Sequence, residues 1–595
     1  METNNLLPSI IKNRLIASLF LFLVSFAVFI PSLNNDFVWD DIPYLLNRIE
    51  NLTISKQINK VIPKKSNNKS DYYRPMLHIS LALDNDIWNG KSLGFHLSNI
   101  VMHSITTVLL FFLALLILKE LNYTRQYETA FVSSLLFALH PIHVESVSFI
   151  LARSDLLCAV FLMGFFIFYI KSYEKLYYLP LCIVFFGLAL ISKEVAFVFP
   201  FLIVLYDIIR PKFPKREYII RYSICLIIFL IYLYIRNRGF VVIPEISQAV
   251  IGQDTGGLEK ISILAQSFLN AYGFYAYKFV YPFNFNITVG RLAVDIRFII
   301  VSVSLIILMF LFVYRRYRFN LLGLTFAIIS LIPAVFVSVV DVVTSPYAER
   351  FLYIPSIGFC MVLGYLFVHS EQRFKLPIYS IWAVLVFVCL IYSVFTIKEQ
   401  FVWKNSYTLW KKAVERSPQQ PMPRLNYGYS LMNKGQIDGA IDQFAKAVEY
   451  EKDHNKSQKA LAYNNLGTAY MGKGDFKKAM QSFEHANKID PKYELTYKYH
   501  KGLIYYLEGD KIYRQNESLA EEKYKKALQV LLEVDKRSKY NRRLHLLVAE
   551  VYLRLGDFKQ AHKFADRSLK SGKAKLDKKQ RERAEYILNY TERYK

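Results

Sequence analysis

Apolar and polar positions divide the chain into two stretches with different rhythms. Up to about residue 396, apolar runs near 20 residues long alternate with short charged loops, the length a helix needs to cross a hydrocarbon core. The spans read from this pattern are residues 15–33, 97–118, 127–141, 154–171, 176–192, 195–209, 219–235, 296–313, 319–340, 351–369 and 376–396. After residue 400 the long apolar runs stop, and Lys, Glu, Asp, Tyr and Ala take over with helical periodicity. The pattern predicts an all-α protein, with a polytopic membrane domain over residues 1–400 and a water-soluble helical domain over residues 408–595. Residues 262–283 are apolar enough to cross but are interrupted by Gln266, Asn270 and Lys278. They are expected to form a re-entrant or interfacial helix, which leaves about 11 spans.

Basic residues set the expected orientation. Lys12/Arg14, Lys119/Arg125, Lys171/Lys175, the run 210–216, Arg315/Arg316/Arg318 and Arg373/Lys375 fall in the loops of one side. The tendency of Lys and Arg to stay inside makes that side cytoplasmic. An odd number of spans then places the N-terminus inside and the C-terminal domain outside. The first apolar run follows Lys12 and Arg14 but lacks a small-x-small cleavage site, so an uncleaved helix is expected rather than a signal peptide.

The soluble stretch repeats itself. Gly428, Ala440 and Ala447 are answered at identical offsets by Gly467, Ala479 and Ala486, with Phe444 and Phe483 between the alanines. A third copy is stretched (Gly502, Ala520, Tyr524, Ala527), and a fourth reads Ala549, Gly556, Ala561 and Ser568. Small residues at this spacing let paired helices approach closely, the tetratricopeptide pattern. Four helix pairs are expected to stack as an α-solenoid with a concave face suited to an extended peptide, closed by a capping helix within residues 573–595.

Charge changes this picture only slightly. The net charge of +26 is partly a topology signal, and the basic remainder could suit anionic lipid or acidic partners. No nucleic-acid motif accompanies it, and no nucleic-acid partner is expected. Cys158, Cys182, Cys225, Cys360 and Cys389 lie in apolar stretches without disulfide or CxxC spacing and read as core residues.

Chemistry concentrates on the outer side of the expected topology. Asp40 and Asp41 sit at the mouth of the first span, where ionisable groups are costly to keep dry. The same side holds Arg74, His96, His140, His143, Glu145, Arg153, Asp155, Lys193, Glu194, Glu349 and Arg350. His140 and His143 are spaced by three with Pro141 between them, which fits a hydrogen-bonded structural role better than an i, i+4 metal pair. Clusters converging on one face point to an active site at the membrane surface.

The set Trp39-Asp40-Asp41, Tyr73-Arg74-Pro75, Phe95-His96-x-x-Asn99-x-x-x-His103, the run 136–145, Arg153-Ser154-Asp155, Ser192-Lys193-Glu194 and the run 349–356 resembles the transmembrane and tetratricopeptide-repeat-containing (TMTC) proteins. These are membrane glycosyltransferases of the GT-C class, related in architecture to protein O-mannosyltransferases. The resemblance covers nearly the whole chain. It implies transfer of a sugar, mannose or another hexose, from a polyprenyl-phosphate carrier in the bilayer to a hydroxyl of an exported protein, with the repeats binding acceptor or partner. A phosphate is already a competent leaving group, so the reaction needs a base for the acceptor proton and fixed positive charge at the departing phosphate. Asp40 is expected as that base, with Asp41 either orienting it or sharing the acceptor hydrogen bond, and direct displacement would invert the anomeric centre. Arg153, Lys193 and Arg350 are expected at the donor phosphate, with Arg74, His96, His143, Glu145 and Glu194 lining the substrate. No cofactor or metal is expected, and the membrane would be the plasma (inner) membrane or that of the endoplasmic reticulum. Two other readings use the same features: a polysaccharide ligase or polymerase with a polyprenyl-linked donor, and a non-enzymatic membrane-anchored repeat scaffold.

Overall fold

The computed structural model describes residues 13–46, 49, 52–58, 61, 73–210, 215–239, 257–283, 285–287, 294–340, 347–374, 377–451, 455–538, 541–570 and 576–594. Among these, every regular element is a helix or a 3₁₀ turn. The chain forms two compact units, Met1–Arg416 and Ser417–Lys595. The helix Ser406–Arg416, where the periodic soluble stretch was expected to begin, is therefore the last element of the first unit.

Among the described residues of the first unit, seven helices are long and apolar enough to cross a membrane: within Arg14–Asn34, Ser92–Glu120, Ile150–Lys171, Tyr218–Arg236, Ile296–Tyr314, Arg318–Val339 and Tyr379–Lys404. An eighth is reached if Gln126–Leu139 and Pro141–Ser148, bent by 50°, count as one span. The expected eleven are not reached, and the reason is local. The helix Leu179–Leu190 has 12 residues and Phe199–Ile209 has 11, each opening on a proline after a 3₁₀ turn. At 1.5 Å per residue the shorter is about 17 Å long, against a hydrocarbon core of about 30 Å. The helix Gly257–Val280 covers most of the segment expected not to span, and it is absent from the seven.

The 29-residue helix Ser92–Glu120 measures the bundle, at about 43 Å. At its C-terminal end Arg210 pairs with Glu120 (3.1 Å), and Asp207 accepts from the hydroxyls of Tyr169 (2.5 Å), Tyr173 (2.9 Å) and Tyr222 (2.7 Å). These bonds tie four helices together where an unpaired carboxylate would be costly. Close packing elsewhere depends on missing side chains: a Cβ on Gly358 would come within 2.1 Å of the Gly323 carbonyl oxygen, so two helices cross there backbone to backbone.

The second unit contains the four expected helix pairs. Pro421–Asn433 pairs with Ile437–Tyr450, Lys456–Lys473 with Phe476–Ile489, Glu494–Ile512 with Glu517–Arg537, and Arg542–Arg554 with Phe558–Lys570. The helix Lys578–Thr591 closes the array behind an Asp577 capping box. Ala440, Phe444, Ala447, Ala479, Phe483 and Ala486 are all buried at the pair interfaces. Gly428 and Gly467 lie against the rings of Phe444 and Phe483, at 2.6 and 2.8 Å from where a Cβ would stand. In the stretched third copy the glycine against the Tyr524 ring is Gly509, about two helical turns beyond Gly502.

Candidate active site at one end of the helical bundle

The first helix ends in a 3₁₀ turn, Ile30–Asn34, opened by Pro31, and the chain then turns back through Trp39-Asp40-Asp41. Trp39 sits in the left-handed region at φ 50°, a conformation that costs a non-glycine residue about 1 kcal/mol and must be held from outside. Its ring stacks on Phe149 at 5.3 Å and meets Trp410 edge-on at 5.6 Å.

The two carboxyls that follow differ sharply. Asp41 is fully buried, its Oδ2 accepting from the Val38 N–H (3.3 Å) and its Oδ1 from the Leu151 N–H (3.1 Å). Burial pushes its pKa up to about 8 in spite of those backbone donors, so Asp41 is a protonated anchor at neutral pH. Asp40 is half-buried. Burial raises it too, while the Arg350 guanidinium pulls it back toward the ionised form.

Three of the expected cations lie near one another, with Arg350 beside this loop. Arg350 donates from its backbone N–H to Glu145 Oε2 (2.9 Å) and from Nη1 to Oε1 (2.5 Å), and its guanidinium lies 5.5 Å from the Trp39 ring centre and 5.2 Å from that of Phe351. Lys193 pairs with Asp155, its ammonium 5.3 Å from the Phe351 ring centre. Arg74 pairs with Glu194 at 2.9 Å. The Lys193 pKa is lowered by burial first, then by the neighbouring positive charges of Arg74 and Arg350, against the pull of Asp155. Each of the three cations is matched by a carboxylate of its own, Glu145, Asp155 or Glu194.

Three expected site residues are fully buried. Arg153 is fully buried and donates to Asn99 Oδ1 (2.7 Å), the Phe95 carbonyl (2.7 Å) and the Ser80 carbonyl (3.2 Å), while pairing with Asp84 at 2.5 Å. With its donors so occupied it is a structural tie, not a phosphate ligand. His143 is buried against Phe137, His103 and Tyr353, with Nε2 at 2.8 Å from Ser356 Oγ. His96 is likewise fully buried on the long helix Ser92–Glu120. Neither lines an open surface. His140 takes the hydrogen-bonded role its spacing suggests, with Nε2 at 3.3 Å from the Phe279 carbonyl.

Further ion pairs lie beside these groups. Lys278 pairs with Glu349 at 2.9 Å, and Glu349 also accepts from the Asn286 N–H at 3.0 Å. Burial raises Glu349 to about 7 against the attraction of Lys278. Glu399 holds Arg416 through two bonds of 2.6 Å. Glu145, Glu349, Glu399 and Trp403 border one narrow cleft. Of these residues, Glu399, Trp403 and Arg416 carried no signal in the sequence, while Lys278 showed only as an interruption of an apolar segment. Among the described residues, no three His, Cys, Asp or Glu side chains are disposed to hold a metal ion.

The tetratricopeptide repeat model matches residues 424–454 and 460–493. Across the longer chain, a protein O-mannosyl-transferase of Caenorhabditis elegans is 24% identical over 456 residues, 73% of this chain and 63% of that protein. Human protein O-mannosyl-transferase TMTC3 is 23% identical, over 82% of this chain and 57% of its own length. Human protein O-mannosyl-transferase TMTC4 is 24% identical, over 74% and 67%. The match to the first two of these spans about three fifths of their length. The resemblance first carried by Trp39-Asp40-Asp41 and its companions thus extends along most of the sequence, and the chain is a homologue of the TMTC proteins.

Proposed function

We propose that the chain is a membrane glycosyltransferase that moves a hexose, mannose in the first instance, from a polyprenyl-phosphate carrier to a hydroxyl of an exported protein. The observation that carries this reading is a half-buried carboxyl, Asp40, within electrostatic reach of a cation, Arg350, from a distant part of the chain. The relatives are protein O-mannosyl-transferases by name, which supports mannose as the sugar and protein as the acceptor class.

In this reading the acceptor oxygen attacks the anomeric carbon and its proton passes to Asp40. The bond from that carbon to the phosphate oxygen breaks, and the electron pair leaves with the polyprenyl phosphate. Arg350, Lys193 and Arg74 meet the charge that develops there, each held in place by its own carboxylate, Glu145, Asp155 and Glu194. Asp41 fixes the loop. One base and one displacement invert the anomeric centre. No cofactor or metal takes part, the site faces the side away from the cytoplasm, and the repeats engage the protein acceptor.

The test replaces Asp40 by Asn in the full chain, reconstituted in lipid. Transfer from a polyprenyl-phosphate hexose should fall by about 10² to 10⁴, the usual worth of general-base catalysis, while donor binding persists. Near wild-type transfer by that variant would remove Asp40 from this role.

A further inference from the structure

The Asp40–Asp41 loop is held by the segment that follows the last apolar helix of the first unit. The Asp36 N–H donates to the Lys404 carbonyl at 2.9 Å. Just before it, the Ser32 backbone N–H and hydroxyl both donate to Gln400 Oε1, at 3.1 and 2.8 Å, while Gln400 Nε2 donates to the Val28 carbonyl at 2.8 Å. Two tryptophans of this segment, Trp403 and Trp410, are each only 2% exposed. Trp403 lies 5.8 Å from Phe149, the ring on which Trp39 stacks, and Trp410 meets Trp39 itself.

Trp39 is the point where these contacts meet the chemistry. It precedes Asp40 directly and holds a left-handed backbone that its own side chain does not favour. Phe149 covers one face of its ring, Trp410 stands edge-on to it, and the Arg350 guanidinium lies close by. We infer that Trp410 is a positioning residue for this site: through Trp39 it fixes both the Asp40 carboxyl and the Arg350 guanidinium. The inference rests on the reading of Asp40 as the base.

The helix that carries Trp410 is held firmly enough for this. Ser406–Arg416 opens at Asn405, whose Oδ1 accepts from the Thr408 N–H at 3.0 Å. At its other end Arg416 grips Glu399 through two bonds and donates to the Phe285 carbonyl at 2.8 Å. A side chain on so constrained a helix can impose a position on its neighbour. The same helix is the last element before the chain enters the repeats at Ser417, so the acid pair is braced by the segment through which the repeats are joined.

The test compares Trp410→Ala, Trp410→Leu and Trp410→Phe in the full chain in lipid nanodiscs. Two readouts are taken: sugar transfer with varied donor, and amide hydrogen exchange of peptides covering residues 36–45. Trp410→Ala should lower kcat by about 10- to 100-fold, the cost of a base displaced by about an ångström, with the donor KM within about threefold of wild type. Exchange at the loop should rise at least about tenfold, a change of local opening rather than of the whole fold. Trp410→Phe restores an aromatic edge and should recover most of both, whereas Trp410→Leu keeps bulk alone and should recover neither. Leu and Phe performing equally well would make Trp410 a core filler and overturn the inference, as would an Ala variant with unchanged kcat and loop exchange. If wild-type protein transfers no sugar, the proposed function fails, and the exchange data alone decide whether Trp410 holds the loop.

Discussion

Asp40 and Asp41 are adjacent in the chain, yet burial gives them separate tasks. A fully buried carboxyl that keeps its proton can anchor a turn but cannot accept a second proton from an acceptor hydroxyl. Asp40 keeps the proton-accepting role open because it is only half-buried and feels Arg350. Activity limited by Asp40 should rise with pH, with an acid limb above the ordinary aspartate range, since burial outweighs the guanidinium. Arg350→Met removes the one neighbouring charge that favours the carboxylate, so the limb should move to higher pH while transfer also weakens. A pH–rate profile of the two proteins checks this, and a limb that stays in place or moves down would mean that Arg350 does not act on Asp40. The sequence made both residues legible as charges at a membrane surface. It could not rank the two carboxyls, because rank comes from burial, and the Leu151 segment that helps to bury Asp41 is brought there by folding.

Arg153 shows what element packing adds. In sequence it is a cation at the mouth of a span, equivalent to Lys193 or Arg350. In the fold it joins the helix Arg153–Lys171 to Pro75–Trp88 through Asp84 and Ser80 and to Ser92–Glu120 through Asn99 and Phe95. Removing one partner of such a buried pair leaves the other charge without compensation, at about 3–5 kcal/mol. Arg153→Met should therefore lower the thermal stability of the solubilised protein by that order, and adding Asp84→Asn should recover part of it. A stable Arg153→Met protein with a raised donor KM would return Arg153 to the phosphate. The expected span count was not confirmed at this scale either. Hydropathy registered Leu179–Leu190 and Phe199–Ile209 as runs of spanning length, while Pro180, Pro200 and the 3₁₀ turns before them shortened the helices. The repeats were more legible, because Gly428 with Phe444 and Gly467 with Phe483 are local contacts sixteen residues apart that a periodic sequence displays directly. Trp410 was not legible, since it meets Trp39 across most of the first unit's sequence.

At the scale of the whole molecule, the chain carries two cores that answer to different solvents. The first unit has buried polar ties between apolar helices, and the second has an alanine- and aromatic-packed solenoid whose pairs lean on their neighbours. Strain introduced in one core should not be felt as instability in the other, because distant sites without shared partners act additively. Gly428→Val and Gly467→Val together test this. Each new side chain would be driven into a phenylalanine ring, Phe444 or Phe483, at a cost of about 1–3 kcal/mol apiece. The double variant should lose the repeat unit's unfolding transition to lower temperature, followed by circular dichroism, while the apolar helices stay folded in lipid. If the repeats engage the protein acceptor and the helical bundle binds the donor, transfer to a protein acceptor should fall steeply with donor binding unchanged. Parallel loss of donor binding would mean instead that the solenoid holds the membrane unit in its working form, and the division of labour between the two units would have to be abandoned.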